Sequence, residues 1–197
     1  MARTAIVAVP PALAATIAMD PERSPARQRL EAGMPMGTVI KCIVSYDRPF
    51  WREQGMSGES ISDAAPVRAT FDNCAKDGSF ASLVAFVIAD TGKDFGDLDL
   101  EARRTRVVEH LAILFGDEAA KARGYLDHVW AHEKYSAGCY VGVAGPGVLT
   151  AHGTALREPA GRVCFAGTEA AAQHCGYFDG AVGAGRHAAT TALGLLD

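Results

Sequence analysis

The chain has 197 residues, of which 49% are hydrophobic and 21% charged, and its net charge is −4. This balance is typical of a globular protein with a packed core, and the small negative charge argues against nucleic acid or an acidic membrane surface as a partner. No apolar run approaches the roughly 18 residues that a membrane helix needs, so we expect a soluble protein.

The amino-terminal apolar stretch, residues 5–18, contains two prolines and follows no strongly basic segment. We therefore interpret it as the start of a strand rather than a signal peptide. Three segments of the middle of the chain are also predicted to be strands, the first two because of their apolar and β-branched composition. They are Thr38–Tyr46, Ser79–Ala89 (after a turn at Asp77–Gly78) and Tyr125–Trp130.

A helix is predicted over Leu100–Phe115, because its apolar residues fall on one face, Asp99 can cap its first turn and Gly116 follows its last. The arginines on its other face are interpreted as a solvated surface; they are Arg103, Arg104 and Arg106. Helices mixed with several strands indicate an α+β fold.

Two patterns bear on metals and on the redox compartment. The five cysteines are odd in number and include no C-x-x-C pair, which argues against a disulfide framework and for a reducing compartment such as the cytoplasm. His128 and His132 are four residues apart, but His128 lies in the predicted strand Tyr125–Trp130, and residues four apart on a strand are about 13 Å distant. No metal site is predicted.

The carboxy-terminal segment indicates a cofactor. A predicted strand at Val163–Phe165 runs into a small-residue turn, Ala166–Glu169, and then into a predicted helix. Free N–H groups at a helix start can accept an anion, and small residues let a flat ligand or another backbone lie close. The spacing by itself is equally compatible with a tightly packed strand–turn–helix. The small residues that we expect to line this helix are Gly176, Gly180, Ala181, Ala184 and Gly185.

Three stretches resemble motifs of the flavin-dependent monoamine oxidase family, and they occur in that family's order. They are MPMGTVIKCIVSYDRPFWRE (Met34–Glu53), YSAGCY (Tyr135–Tyr140) followed by PGVLT (Pro146–Thr150), and the tail Val163–Ala189. The resemblance covers nearly the whole chain. It implies a substrate domain at residues 31–132, flanked by segments of an FAD-binding domain at residues 1–30 and 133–197.

Complete members of this family are more than twice this long and begin with a dinucleotide-binding unit, a strand and helix joined by a Gly-rich turn. No G-x-G-x-x-G follows a strand near the start of this sequence. We therefore expect the chain to be the carboxy-terminal portion of such an oxidase. Its partners would be an amine and oxygen, together with a separate amino-terminal half or further copies of the chain.

The resemblance also implies roles for individual residues. Lys41 would hold a water that contacts N5 of the flavin. The alternative, from its position in an apolar strand, is a lysine on an edge strand whose side chain faces solvent. Cys139 would form a thioether to the 8α-methyl of the flavin, the alternative being a small buried hydrophobe. Tyr140 and Tyr177 would form an aromatic cage that steers the amine toward the flavin. The other matched residues are Trp130 and Tyr135 beside the flavin; Gly167, Thr168, Gly176, Phe178 and Ala181 near its phosphates and ring; and Phe86 and Ala69 in the substrate cavity.

The implied activity is FAD-dependent oxidation of a primary amine to an aldehyde, with release of ammonia and hydrogen peroxide. Three departures from the family pattern bear on the substrate: Gln173–Cys175 replace a pattern that contains tryptophan, Phe178 stands where methionine is common, and Ala69 replaces a bulky gate residue. Polyamine oxidation and L-amino-acid oxidation therefore stay open. A non-catalytic fragment that binds no flavin by itself is the third alternative.

Overall fold

The computed structural model describes residues 2–64 and 66–196. They form helices together with parallel and antiparallel strands, which confirms the predicted α+β class. The strands are β1 (Ala5–Val7), β2 (Val39–Tyr46), β3 (Ser60–Ile61), β4 (Ala69–Asp72), β5 (Ala81–Ile88), β6 (Gly124–Val129) and β7 (Val163–Phe165). The α-helices are α1 (Pro11–Ala14), α2 (Pro25–Ala32), α3 (Phe50–Glu53), α4 (Asp90–Gly96), α5 (Leu100–Phe115), α6 (Val148–His152) and α7 (Phe178–Gly194). Short 3-10 turns span Asp117–Ala120, Trp130–His132, Gly153–Leu156 and Thr168–Ala170.

The chain divides into two compact units. The central unit is Thr38–Glu133, and the terminal unit combines Met1–Gly37 with Lys134–Asp197. The assignment of residues 31–132 to a substrate domain, and of the flanking segments to an FAD domain, stays a prediction.

The central unit is built on one antiparallel sheet with the strand order β3-β4-β5-β2-β6. Apolar residues at alternate positions of β2 and β5 pack on one side of the sheet against α5, because a strand points successive side chains to opposite faces. The motif YDRPFWRE contributes an edge-to-face aromatic cluster to the same unit. The main buried residues are Ile40, Cys42, Val44, Trp51, Leu83, Val87, Val107, Leu111 and Phe115.

The predicted bounds of α5 are confirmed. Its first turn is capped by the Asp99 carboxylate, which accepts a hydrogen bond from the Ala102 N–H at 2.8 Å. The helix stops at Gly116, whose φ of 84° favours glycine. The three central strands were predicted to within two residues at each end.

The interpretation of Arg103 as a solvated residue was wrong. Its guanidinium lies 2.7 and 3.0 Å from the carboxylate oxygens of Asp127, and the Tyr125 hydroxyl donates to the same carboxylate at 2.8 Å. The side chain of Asp127 is only 3% exposed, so its charge requires a partner. Arg106 is exposed, and Arg104 pairs with Glu101 on the helix surface.

The terminal unit contains a two-stranded parallel sheet in which β1 pairs with β7. The first strand takes up only Ala5–Val7 of the apolar stretch 5–18, because the prolines at 10 and 11 open α1. Helix α7 packs through a stripe of small residues at four-residue spacing, namely Gly180, Ala184, Ala188 and Ala192. The expectation that Gly176 lies in this helix was wrong, since Tyr177 is extended and α7 begins at Phe178.

A buried ion pair joins the parts of the terminal unit. Arg27 contacts the Glu31 carboxylate at 2.7 Å, donates to the carbonyls of Ala155 and Leu156, and lies 3.6 Å above the Phe165 ring centroid. Burial lowers the pKa of Arg27 from its ordinary value, although Glu31 opposes the shift. Arg27 therefore links α2, the turn 153–156 and β7.

Within residues 2–64 and 66–196, no helix combines the length and the apolar character required to span a bilayer.

Candidate active site

The segment that carries Cys139 and Tyr140 is paired with the segment Gly33–Gly37 of the terminal unit. The two run antiparallel and exchange four backbone hydrogen bonds, so the first two family motifs meet here as neighbouring strands. We call residues 139–145 the strap. The donor–acceptor pairs are Cys139 to Gly37 (2.9 Å), Gly37 to Val141 (3.0 Å), Val143 to Pro35 (2.7 Å) and Gly145 to Gly33 (3.0 Å).

Two motif glycines permit this close pairing. A Cβ on Gly37 would lie 2.5 Å from the carbonyl oxygen of Cys139, and one on Gly138 would lie 2.4 Å from the carbonyl oxygen of Gly37. Gly138 also has a φ of 147°, which side-chain-bearing residues rarely adopt. The peptide bond between Cys139 and Tyr140 is cis. The glycines therefore allow the backbone of the strap to lie at hydrogen-bonding distance from residues 33–37.

The 3-10 turn Thr168–Ala170 fixes the segment that carries Tyr177. The Thr168 hydroxyl accepts from the Gly176 N–H at 2.6 Å and donates to the Tyr177 carbonyl at 3.1 Å. Gly167 precedes this turn with a φ of 101°, and Gly176 has a φ of 90°. Both glycines thus occupy conformations that disfavour other residues.

The two cage tyrosines line one cavity. Tyr140, Val141, Gly176 and Tyr177 surround about 330 Å³, and the tyrosine side chains are 63% and 72% exposed. Partial burial, with a smaller effect of Cys139, raises the pKa of Tyr140 above its ordinary value, so its phenol is neutral at physiological pH. The structure brings Tyr140, Tyr177 and Gly176 together at this cavity; their roles stay a prediction.

The remaining predicted residues of the terminal unit surround these segments. Cys139 is half-buried directly before Tyr140, and Ala181 is half-buried in the first turn of α7. Phe178 and Tyr135 are 93% and 84% exposed. Their aromatic surface is therefore available for a ligand or another chain segment.

Three predicted residues of the central unit form a row across its sheet. Lys41 on β2 is opposite Phe86 on β5, which is opposite Ala69 on β4. Residues directly opposite in antiparallel strands project from the same face, and this face is the one that α5 does not cover. Lys41 is exposed, but β2 lies between β5 and β6, so the alternative of an edge-strand lysine was wrong.

The sequence reasoning missed two residues on this face: His128 extends the row, and Phe71 lies beside it. His128 is opposite Lys41 on β6, and the Phe71 ring packs edge-to-face on Phe86 with centroids 6.0 Å apart. The alternation of strand residues would have found Phe71, which follows Ala69 by two positions. His128 required the strand register, which the sequence does not provide.

Trp130 lies where β6 ends. Its ring packs edge-to-face on His128 with centroids 4.5 Å apart, and His128 Nε2 lies 3.2 Å from Glu133 Oε1.

Among the described residues, no group of three or more His, Cys, Asp or Glu side chains is placed to hold a metal ion.

Comparison with known proteins identifies relatives over nearly the whole chain. Residues 1–193 match the family model described as flavin containing amine oxidoreductase. The probable flavin-containing monoamine oxidase A of Dictyostelium discoideum is 41% identical over 180 residues, which are 91% of this chain and 40% of that protein. A flavin-containing amine oxidase of Danio rerio is 40% identical over 190 residues, 95% of this chain and 36% of that protein.

Solved structures show the same relationship. Cyclohexylamine oxidase from Brevibacterium oxydans superposes with a TM-score of 0.91 and 33% identity, over 99% of this chain and 43% of that one. Putrescine oxidase bound to putrescine superposes with a TM-score of 0.88 and 30% identity, again over 99% and 43%. The chain therefore spans about two fifths of the length of the relatives that it matches.

Proposed function

Since this chain belongs to the flavin-containing amine oxidoreductase family, we propose that it forms part of an FAD-dependent oxidase that converts a primary amine into an aldehyde, ammonia and hydrogen peroxide. The cavity between Tyr140 and Tyr177 is the observation that carries this proposal. Two exposed aromatic rings beside a glycine suit a small amine, because the electron-rich ring faces attract its nitrogen. The fold family contributes the flavin.

The residues of the terminal unit suit this cofactor. The cavity has flat aromatic walls, Gly176 lines it without a side chain, and the Cys139 thiol directly precedes Tyr140. Gly167, Thr168, Phe178 and Ala181 would complete the contacts to its phosphates and ring, with Tyr135 and Trp130 beside it. When bound, FAD would supply the acceptor for the two electrons of the amine; oxygen, the final acceptor, would leave as hydrogen peroxide, and water would hydrolyse the imine to the aldehyde and ammonia.

The protein's own residues would position the reactants. Tyr140 and Tyr177 orient the amine with neutral phenol rings, and they exclude water from its α-carbon. In the central unit, Phe86 and Ala69 lie side by side on the uncovered face of the sheet, where they would form a cavity wall. Lys41, in the same row, would hold the water beside the flavin.

The small side chain of Ala69 bears on the substrate. In the described structure Ala69 is half-buried opposite Phe86, so this part of the wall is wider than a bulky residue would leave it. Such a wall admits a longer or bulkier amine as well as a small one. Comparing kcat/KM for benzylamine, cyclohexylamine and putrescine in the flavin-loaded enzyme would separate monoamine from polyamine oxidation; phenylalanine would test the amino-acid alternative.

The chain spans two fifths of its relatives, so we propose that the rest of the FAD site comes from an amino-terminal half. The 197-residue chain should then bind FAD weakly and self-associate through its exposed aromatic surface. Gel filtration with absorbance at the flavin bands tests this. A monomer that carries stoichiometric FAD would contradict it, whereas loss of all flavin binding even with an amino-terminal half present would favour a non-catalytic fragment.

Covalent attachment through Cys139 is part of the proposal. Acid precipitation of the flavin-loaded enzyme should leave the yellow chromophore on the protein, and Cys139→Ala should release it to the supernatant. Cys175→Ala is the matched control, because this exposed thiol lies near the same site. Complete release of flavin from the unmodified enzyme would exclude the thioether.

Catalysis provides the most direct test of the cage. Tyr177→Phe keeps the ring and should change kcat/KM little, whereas Tyr177→Ala should lower it about 10- to 100-fold.

Lys41→Met should slow reoxidation of the flavin by oxygen more than its reduction by amine, because the proposed contact of Lys41 is with the water at N5. Stopped-flow measurement separates the two half-reactions, and equal slowing of both would contradict the role of Lys41.

A further inference from the structure

The turn Thr168–Ala170 contacts both segments that carry the cage tyrosines. On one side, the Thr168 hydroxyl bonds to the backbone of Gly176 and Tyr177. On the other side, Glu169 Oε1 accepts a hydrogen bond from the Gly142 N–H at 2.9 Å. Gly142 lies in the strap, two residues after Tyr140. Two consecutive side chains therefore connect one turn to the two walls of the cavity.

Glu169 satisfies a backbone group that the strap pairing leaves free. The strap's bonds to residues 33–37 use the N–H or C=O groups of its odd-numbered residues. In an antiparallel pair the intervening residues point their N–H groups away from the partner, and a buried N–H without an acceptor is costly. Glu169 is 6% exposed and supplies that acceptor at Gly142.

Thr168 does the equivalent for the loop before α7. Gly176 and Tyr177 precede the helix in non-helical conformations, so neighbouring helix residues do not accept the Gly176 N–H. The Thr168 hydroxyl accepts that N–H and donates to the Tyr177 carbonyl, so it holds the peptide groups before Gly176 and after Tyr177. The orientation of the Tyr177 ring depends on this backbone.

We propose that Thr168 and Glu169 act as a clamp that sets the separation and orientation of the Tyr140 and Tyr177 rings. Both are positioning residues, since their side chains bond to backbone groups and not to the amine; the proposed contact of Thr168 to FAD is through its backbone. The consequence for amine oxidation rests on the proposed function, whereas the consequence for backbone order does not. Because a misplacement of about 1 Å can cost a hundredfold in rate, the clamp would control which amines fit.

The clamp consists of two hydrogen-bonding side chains, here called its arms, and each can be removed by a separate substitution. Glu169→Ala removes the acceptor at Gly142, while Glu169→Gln keeps an amide oxygen of the same reach. Thr168→Val removes the hydroxyl with little change in volume, while Thr168→Ser keeps it. Each conservative variant is the control for its own arm, and each arm is the control for the other.

Amide hydrogen exchange of the full 197-residue chain, measured by NMR, reports on these backbone hydrogen bonds in the absence of flavin. We expect Glu169→Ala to speed exchange at Gly142 about 10- to 100-fold and to leave Gly176 unchanged, with Thr168→Val doing the reverse. Glu169→Gln and Thr168→Ser should restore protection. Unchanged exchange at Gly142 in Glu169→Ala, or equal exchange at both glycines in either variant, would overturn the clamp.

Kinetics of the flavin-loaded enzyme test the consequence. Glu169→Ala and Thr168→Val should each lower kcat/KM for benzylamine about 10-fold or more, and should change the benzylamine-to-putrescine ratio, with recovery in the conservative variants. An unchanged ratio would overturn control of the cage. If the unmodified enzyme oxidises no amine, the proposed function fails, while the exchange data still decide whether the clamp orders the two segments.

Discussion

The two units differ in what holds them together. In the central unit, a continuous apolar core joins β2, β5 and β6 of the five-stranded sheet to a long helix. The buried apolar clusters of the terminal unit are smaller and rich in alanine. Glycine-dependent backbone pairing and the Arg27–Glu31 pair supplement them there, whereas the central unit adds its Arg103–Asp127 pair to a larger core. The central unit thus relies mainly on hydrophobic burial, and the terminal unit on specific polar and close contacts.

The difference in core size suits the two units to different parts of a binding site. A unit with its own core can present a rigid sheet face, such as the row of Lys41, Phe86 and Ala69. A unit with little core of its own can leave aromatic rings exposed, as Tyr140 and Tyr177 are. Such a surface needs further chain or ligand to cover it, and apolar groups that stay uncovered favour association.

Excision should produce the largest contrast. The segment Thr38–Glu133, expressed by itself, should unfold cooperatively in urea with a free energy of unfolding on the order of 5 kcal/mol. The terminal unit, with Gly37 linked directly to Lys134, should lack a cooperative transition. Circular dichroism follows both fragments, and tryptophan fluorescence follows the central one, which contains Trp51 and Trp130. The comparison fails if the terminal unit is the more stable fragment.

The buried ion pair tests the polar interior of the terminal unit. Arg27→Met should destabilise the chain by about 1–3 kcal/mol, because it leaves Glu31 with only Arg23, at 3.3 Å, and removes two hydrogen bonds to buried carbonyls. The control is Arg123→Met, whose partner Asp47 is exposed in the central unit, and we expect little change there. Urea denaturation measures both, and equal losses would show that burial does not set the cost of losing this arginine.

The strap pairing should be sensitive to a single methyl group. Gly37→Ala places a Cβ against the Cys139 carbonyl and should cost about 1–3 kcal/mol. Gly183→Ala on α7 is the matched control, because nothing lies within 4 Å of its added Cβ. This variant should stabilise the helix by about 0.5–1 kcal/mol. The order of the two melting temperatures checks the prediction, and a neutral Gly37→Ala would contradict it.

Local signals predicted the central unit well. The apolar stripe of α5 is continuous, and its capping aspartate and terminal glycine define its ends without reference to the rest of the chain. Strands β2 and β5 followed from β-branched runs for the same reason. Arg103 was misread because its partner, Asp127, lies on a different element, and only the register of β6 brings them together.

The candidate site depended on long-range pairing. Nothing in the local pattern of residues 33–37 or 139–145 predicts that they form a ladder, since the requirement for glycine arises from the opposing backbone. Family resemblance brought Cys139, Tyr140 and Tyr177 to attention, but it does not provide Glu169 as the acceptor for Gly142. That contact follows from which N–H groups the ladder leaves unpaired.

The smallest expected effect concerns His110, which the sequence reasoning also missed as a core residue of α5. It is 3% exposed, and its Nδ1 accepts a hydrogen bond from the Val67 N–H at 3.1 Å. Burial, with a smaller contribution from Arg68, lowers its pKa from the ordinary value of 6.5. The folded state therefore favours the neutral ring, which alone can accept the Val67 bond.

Stability should accordingly fall as the pH drops below 6.5, because the unfolded chain then binds a proton that the folded chain resists. Well above pH 6.5 the ring is neutral in both states, so the contribution is complete. Urea denaturation at pH 7.5, 6.5 and 5.5 should show a steeper loss for the unmodified chain than for His110→Leu. His187→Leu, an exposed change on α7, should keep the full slope. Equal slopes for the unmodified chain and His110→Leu would show that this buried histidine does not make the central unit sensitive to pH.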